Sequence, residues 1–218
     1  MTTDRESHRY PLWLRKLVIP ALIGALSGFA ATFAMMRYID SPAVGGLGSS
    51  ATIAVLVGVL YCVIAAGILV GAAIPRLGAR FLNVEDADEL REQQRMLTLS
   101  GAAMVFWGAA LLALALAAPE GPVPQTLALV IGVGGLVIGS GLSVLVYRVS
   151  DELMLAVNLE AGALTYGLVL LVVGMWATLA HLGYVAGPAP LDLLTLFYVL
   201  VLLASFIATG RRGVLTIK

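Results

Sequence analysis

The sequence predicts an all-α integral membrane protein, a six-helix transmembrane bundle built from three helical hairpins. Composition, six long apolar segments and the placement of the basic residues together predict it. Of the 218 residues, 60% are hydrophobic and 12% are charged, and the mean hydropathy is +0.98. A soluble domain has roughly 45–50% apolar and about 25% charged residues. The composition therefore excludes an ordinary soluble enzyme, a disordered regulator and a disulfide-rich secreted domain.

Six apolar segments are long enough, or nearly so, to cross the hydrocarbon layer, which takes roughly 20 residues per helix. None of them alternates with the period of two that membrane β-strands require. Unpaired backbone groups are costly in lipid, so uninterrupted helices are the expected structure. We predict spans 1 to 6 at residues 17–36, 51–74, 96–118, 123–147, 153–184 and 193–209.

These spans also define the domain organisation. Residues 1–16 are an N-terminal tail, residues 17–210 the transmembrane domain and residues 211–218 a C-terminal tail. The longest polar stretch, residues 75–95, connects spans 2 and 3. The first apolar run is longer than the apolar core of a cleavable signal peptide, which has roughly 7–15 residues, so we expect span 1 to be retained.

The basic residues indicate the orientation. With six crossings, twelve of the thirteen Lys and Arg residues fall on one side, and Arg37 is the exception. The positive-inside rule predicts that both tails are cytoplasmic. Eleven of the thirteen are Arg, which is typical of GC-rich bacterial coding sequences and favours the inner membrane. Tyr147, Trp176 and Tyr198 are expected in interfacial aromatic belts.

The polar stretch 75–95 contains the first candidate functional feature, a charged segment. Its members are Glu85, Asp86, Asp88, Glu89, Arg91 and Glu92. They are interpretable as the capped first turn of a helix, with Asp88–Arg91 and Glu92–Arg95 pairs on a solvated face. A carboxylate site for Mg²⁺ and a diphosphate is a second interpretation. A cytoplasmic docking surface for a partner is the third.

Glu160 is the second candidate, because it is the one acidic residue inside a predicted span. It lies about 15 Å along the helix axis from Ser150 at 1.5 Å per residue. A carboxylate there is costly unless it is paired, hydrated or protonated. Candidate partners are Arg76, Arg95 and Arg148 at the cytoplasmic rim. The hypotheses are an ion pair fastening span 5 to span 3 or 4, an ion or proton site, and an exposed interfacial residue.

Glycines are the third feature. Span 4 contains Gly132, Gly134, Gly135, Gly139 and Gly141. The small-xxx-small pattern occurs at Gly24 and Gly28, at Gly67 and Gly71, and at Gly135 and Gly139. Such glycines allow helices to approach closely within one chain or between copies. A Gly-rich face lining a permeation path is the alternative.

No catalytic, metal or cofactor site is predicted. His8 and His181 fall on opposite sides of the predicted topology, so they cannot ligate one metal ion or haem together. Cys62 is the single cysteine, so no internal disulfide is possible. The formal net charge of zero provides no field to attract nucleic acid.

These features favour a non-enzymatic scaffold or accessory subunit of a membrane complex. Its expected partners are the lipid bilayer and either another membrane protein or a second copy of itself. The alternative is a small permease or channel for an uncharged or apolar solute, with the span 4 glycines lining the path and Glu160 at its mouth. A third hypothesis is a lipid-modifying enzyme with Asp86, Asp88 and Glu160 around a divalent ion.

Overall fold

The computed structural model describes residues 19–41, 44, 46–81, 87–117 and 121–212. The elements formed by these residues are all α-helices. In chain order they are α1 Ile19–Ile39, α2 Ser49–Ala73, α3 Pro75–Phe81, α4 Ala87–Glu92, α5 Gln94–Ala115, α6 Gln125–Val149, α7 Glu152–His181 and α8 Pro190–Arg211.

Six helices, α1, α2, α5, α6, α7 and α8, are long and apolar enough to span a membrane. The prediction of six such helices is therefore confirmed, and their ends differ from the predicted ends by at most three residues. The start of α8 shows why they differ. Pro190 suits a first helical turn because it lacks an N–H, and the Asp192 carboxylate accepts a hydrogen bond from the Ala189 backbone N–H at 2.9 Å. Span 6 is predicted to start after the charged residue Asp192, but Asp192 lies in the first turn of α8.

The core of the bundle lies around α5, which packs against α2 on one side and α6 on the other. Val55, Tyr61 and Leu111 are buried between these helices. Glycines bring α2 and α5 together, since a methyl group at Gly108 would lie 2.8 Å from Cys62 Sγ and 3.0 Å from the Gly58 oxygen. This is the close backbone approach that small residues permit in membrane helices.

The α5–α6 interface is equally tight. A methyl group at Gly135 would lie 2.6 Å from the Phe106 carbonyl oxygen, and one at Gly139 would lie 2.5 Å from Trp107 Cδ1. Gly132 faces Leu114 in the same way. Three of the span 4 glycines therefore pack against α5.

The helices α7 and α8 form a second, looser unit. They pack against each other, and α8 in turn contacts α2 and, less extensively, α5. Val157, Ala161 and Ala208 are buried at the α7–α8 contact. Much of the remaining surface of α7 is exposed, including Tyr166 and Leu170.

The helix ends meet in two groups. At one end, the side-chain amide of Gln94 donates to the Ala72 oxygen at 3.0 Å, which joins the start of α5 to the end of α2. The connection between α6 and α7 and the end of α8 lie at this same end, which we call the basic end. At the opposite end, the Ser50 hydroxyl donates to the Asp192 carboxylate and joins the starts of α2 and α8.

Candidate functional site

Glu160 forms an ion pair with two arginines at the end of α8. Its carboxylate lies 2.8 Å from Arg212 Nε and 3.7 Å from Arg211 Nη1. The antiparallel packing of α7 on α8 brings these groups together. Because 25% of the Glu160 side chain is exposed, its negative charge is partly shielded from solvent, and it lies beside two positive charges.

This arrangement corrects the predicted partners of Glu160. Within the described part of the chain, neither Arg95 nor Arg148 forms an ion pair with Glu160, and both are exposed on α5 and α6. The same holds for Arg76 on α3. The ion pair therefore fastens α7 to α8, and the expected link to span 3 or 4 is wrong. Predicted span 6 ends at residue 209, which places Arg211 and Arg212 in the C-terminal tail, whereas α8 extends to Arg211.

The charged segment contains the short helix α4. Asp88 and Arg91 form the predicted (i, i+3) ion pair. No ion pair joins Glu92 to Arg95 among the described residues, because α4 ends at Glu92 and α5 begins at Gln94. The predicted continuous helix is thus broken between them.

The described residues include α4 but not every member of the charged segment. Glu85 and Asp86 lie outside the described residues, as does the side chain of Glu89. His8, in the N-terminal tail, also lies outside them, whereas His181 is the last residue of α7. The hypothesis that Asp86, Asp88 and Glu160 share a divalent ion is therefore open at Asp86, while Arg91 pairs with Asp88 and Arg212 with Glu160.

The position of α4 is fixed by packing. Leu90 is fully buried, and a methyl group at Gly78 in α3 would lie 2.9 Å from Leu90 Cδ1 and 2.6 Å from the Gly71 oxygen of α2. Thus α4 packs on α3 and α3 packs on α2. We call α3 and α4 the docking platform. It holds Asp88 and Arg91 toward solvent at the basic end.

Two buried tyrosines link α2, α5 and α8. The Tyr61 hydroxyl donates to the Tyr198 oxygen at 2.8 Å, and the Tyr198 hydroxyl donates to the Trp107 oxygen at 3.0 Å. Their rings meet edge to face, with centroids 4.9 Å apart. Tyr198 is therefore a core residue, and its predicted place in an aromatic belt is wrong. The signal available in the sequence was that a phenol within an apolar span needs a hydrogen-bond partner.

A half-open cleft of about 500 Å³ separates the α5–α6 pair from the α7–α8 pair. Its walls are largely apolar and include Met104, Val146, Leu202 and Phe206. Tyr61 of α2 and Trp107 of α5 also line it. Ligand pockets in proteins usually measure about 300–1,000 Å³ and combine apolar walls with a few polar groups, and this cleft has both properties.

The serine, threonine and asparagine side chains that line the cleft fall into two classes. Thr165, Ser205 and Thr209 each donate to a carbonyl one turn earlier in their own helix, at 2.6–2.8 Å. By contrast, the described residues provide no hydrogen-bond partner for the side chains of Ser100, Ser143 and Asn158. These three residues lie on three different helices, α5, α6 and α7, and we call them the polar triad. The sequence did not indicate this set, because its members belong to three different spans and only tertiary packing brings them to one cleft.

The members of the polar triad lie equally far from the basic ends of their own helices. Each member is six residues from the basic end of its helix: Ser100 follows Gln94, Ser143 precedes Val149, and Asn158 follows Glu152. At 1.5 Å per residue this places all three about 9 Å from the helix ends. Hydroxyl and amide groups can both donate and accept hydrogen bonds, so the triad can bind a neutral polar group.

The cleft differs from the path expected beside span 4. Its described lining contains no charged side chain, and Gly132, Gly135 and Gly139 face α5 instead of the cleft. Within the described ranges, no three His, Cys, Asp or Glu side chains are grouped so as to hold a metal ion. The arrangement suits binding by hydrogen bonds and apolar contact.

No protein-family model, curated protein sequence or solved structure matches the chain.

Proposed function

We propose that the chain is an integral membrane protein whose six long helices cross the bacterial inner membrane, with the basic end and both termini in the cytoplasm. Arg76, Arg95, Arg148 and Arg211 lie near helix ends at the basic end, whereas Arg37 is in the last turn of α1 at the opposite end. The positive-inside rule gives this distribution its orientation.

In that membrane the protein acts as a non-enzymatic scaffold or accessory subunit that binds its partner through the docking platform. The observation that carries this proposal is the burial of Leu90, which holds α4 against α3 while Asp88 and Arg91 remain exposed. A fixed surface with charges of both signs favours one orientation of a complementary partner and raises the rate of encounter.

The test is co-purification in mild detergent at native expression. Wild type is expected to retain a stoichiometric membrane-protein partner. The double variant Arg91→Glu with Glu92→Lys exchanges the charges of the platform without altering net charge, and it should lose that partner. Glu152→Lys is a charge-reversal control outside the platform, since Glu152 is an exposed carboxylate in the first turn of α7. Purification of the wild type without a companion, or retention by the double variant, contradicts the proposal.

The cleft favours a second candidate function, the passage of an uncharged or apolar solute. Gly162 lines the cleft, and a Cβ atom there would meet nothing within 4 Å. Gly162→Leu should therefore fill the cleft without disturbing packing. Gly167, on the same helix but outside the cleft, is equally open and provides the control Gly167→Leu.

Glycerol is a suitable probe of passage because it is small and uncharged. Proteoliposomes with the wild type or Gly167→Leu should re-swell in glycerol faster than those with Gly162→Leu, as measured by stopped-flow light scattering. Equal rates for the three proteins contradict passage through the cleft.

A further inference from the structure

We propose that the cleft between the α5–α6 and α7–α8 pairs is a binding site for a neutral amphiphile, a molecule with an apolar body and one hydroxyl or carbonyl head. This inference deepens the second candidate function, because it names the chemical class that the cleft takes. It requires binding and does not require passage across the membrane.

The head of the ligand is assigned by the polar triad. Ser100, Ser143 and Asn158 line the cleft from three helices, each six residues from the basic end of its own helix, and the described residues leave their side chains without partners. A polar group without a hydrogen bond is costly in an apolar environment. Three such groups lining one half-open cleft are available to hydrogen-bond the polar head of a ligand there.

The body of the ligand is assigned by the inner part of the cleft. Trp107 lies thirteen residues from the start of α5 and Tyr61 twelve residues from the end of α2, so both are about 18–20 Å from the basic end. The Tyr61 hydroxyl is already used in its bond to the Tyr198 oxygen. From the polar triad inward, the cleft offers about 10 Å of mainly apolar wall, and the amphiphile would lie with its head toward the membrane surface.

The neutrality of the ligand follows from the charges around the cleft. Its described lining carries no ionised side chain. Glu160 precedes the lining residue Ala161, but its carboxylate is paired with Arg211 and Arg212. An ionised head in the cleft would therefore have no counter-charge within the described lining, and burial of an unpaired ion is strongly unfavourable.

Trp107 provides a direct readout, because it lines the cleft. The protein would be made with Trp13→Phe and Trp176→Phe, so that Trp107 is its one tryptophan, and reconstituted in phosphatidylcholine nanodiscs. The probe is a medium-chain primary alcohol with bromine on its terminal carbon, which quenches nearby tryptophan. The comparison probes are the terminal bromoalkane and the terminally brominated carboxylate of equal chain length.

Saturable quenching by the bromo-alcohol is expected, with tighter binding than either comparison probe. One hydrogen bond contributes about 0.5–1.5 kcal/mol, so Asn158→Leu and Ser143→Ala should each weaken binding roughly 2- to 13-fold. Ser140→Ala, an exposed position one turn away on α6, should not alter it. Gly162→Leu should weaken binding at least about tenfold and Gly167→Leu should not.

Several outcomes overturn the proposal. Equal quenching by the bromoalkane would show that the polar head does not contribute to binding and that the cleft takes lipid chains non-specifically. Tighter binding of the carboxylate would show that the ligand is charged. Unchanged affinity in both Asn158→Leu and Gly162→Leu would place the quencher elsewhere. Saturable binding of the bromo-alcohol without Gly162-dependent glycerol flux would contradict passage and support the binding site. Glycerol flux without binding would support passage and contradict the binding site.

Discussion

Glycines have different roles in α6 and α7. In α6, Gly132, Gly135 and Gly139 recur at spacings of three and four and lie against α5. In α7, Gly162 and Gly167 are five residues apart, or about 140° around the helix, and a Cβ at either would meet nothing within 4 Å. Glycine content alone therefore does not predict close packing, which also requires the glycines to share one face and a partner helix to cover it.

The largest expected effect comes from filling the α5–α6 contact. Gly135→Leu should destabilise the protein by at least about 1–3 kcal/mol, because its side chain would enter the space of the Phe106 backbone. Gly134→Leu, one residue along the same helix, has no neighbour within 4 Å of its Cβ and should be close to neutral. Denaturant unfolding in detergent, followed by tryptophan fluorescence, measures both. Equal losses of stability would contradict the distinction between packed and open glycines.

The buried tyrosines should produce an intermediate effect. Tyr198→Phe removes the hydroxyl that donates to the Trp107 oxygen, and Tyr61→Phe removes the donor to the Tyr198 oxygen. Each should cost about 0.5–1.5 kcal/mol in the same unfolding measurement. Tyr166→Phe on α7 is the control, since Tyr166 is 73% exposed. A larger loss from Tyr166→Phe than from Tyr198→Phe would contradict the assignment of the network to the core.

The smallest effect is expected at the ion pair of the α7–α8 unit. Glu160→Gln should cost about 0–1 kcal/mol, because partly exposed ion pairs contribute little. Its consequence should be local, with faster amide hydrogen exchange in α7 and α8 and unchanged exchange in α5 and α6. Arg148→Gln, at an exposed position on α6, should leave both regions unchanged. Faster exchange confined to α5 and α6 in Glu160→Gln would support the discarded pairing with Arg95 or Arg148.

The long helices were predictable because the length of each apolar run alone indicates a membrane-spanning helix. The Asp88–Arg91 pair was predictable for a similar reason, since the two residues are neighbours on one helical turn. The partners of Glu160 were not, because nearly uniform apolar spans do not reveal which helices are adjacent. The polar triad was not predictable for the same reason. Ser100 and Ser143 are more than forty residues apart in the sequence, and only tertiary packing brings the three members to one cleft.

The proposed topology has the bundle crossing a bilayer with its basic end in the cytoplasm, and the two ends of α7 test it directly. Glu152 and Tyr184 are both exposed, at the start of α7 and just beyond its end. In a Cys62→Ala background, Glu152→Cys and Tyr184→Cys would be treated in intact cells with a membrane-impermeant maleimide. We predict labelling of the Tyr184→Cys protein in intact cells, and of the Glu152→Cys protein only after permeabilisation. Labelling of both in intact cells, or the reverse pattern, would contradict this topology.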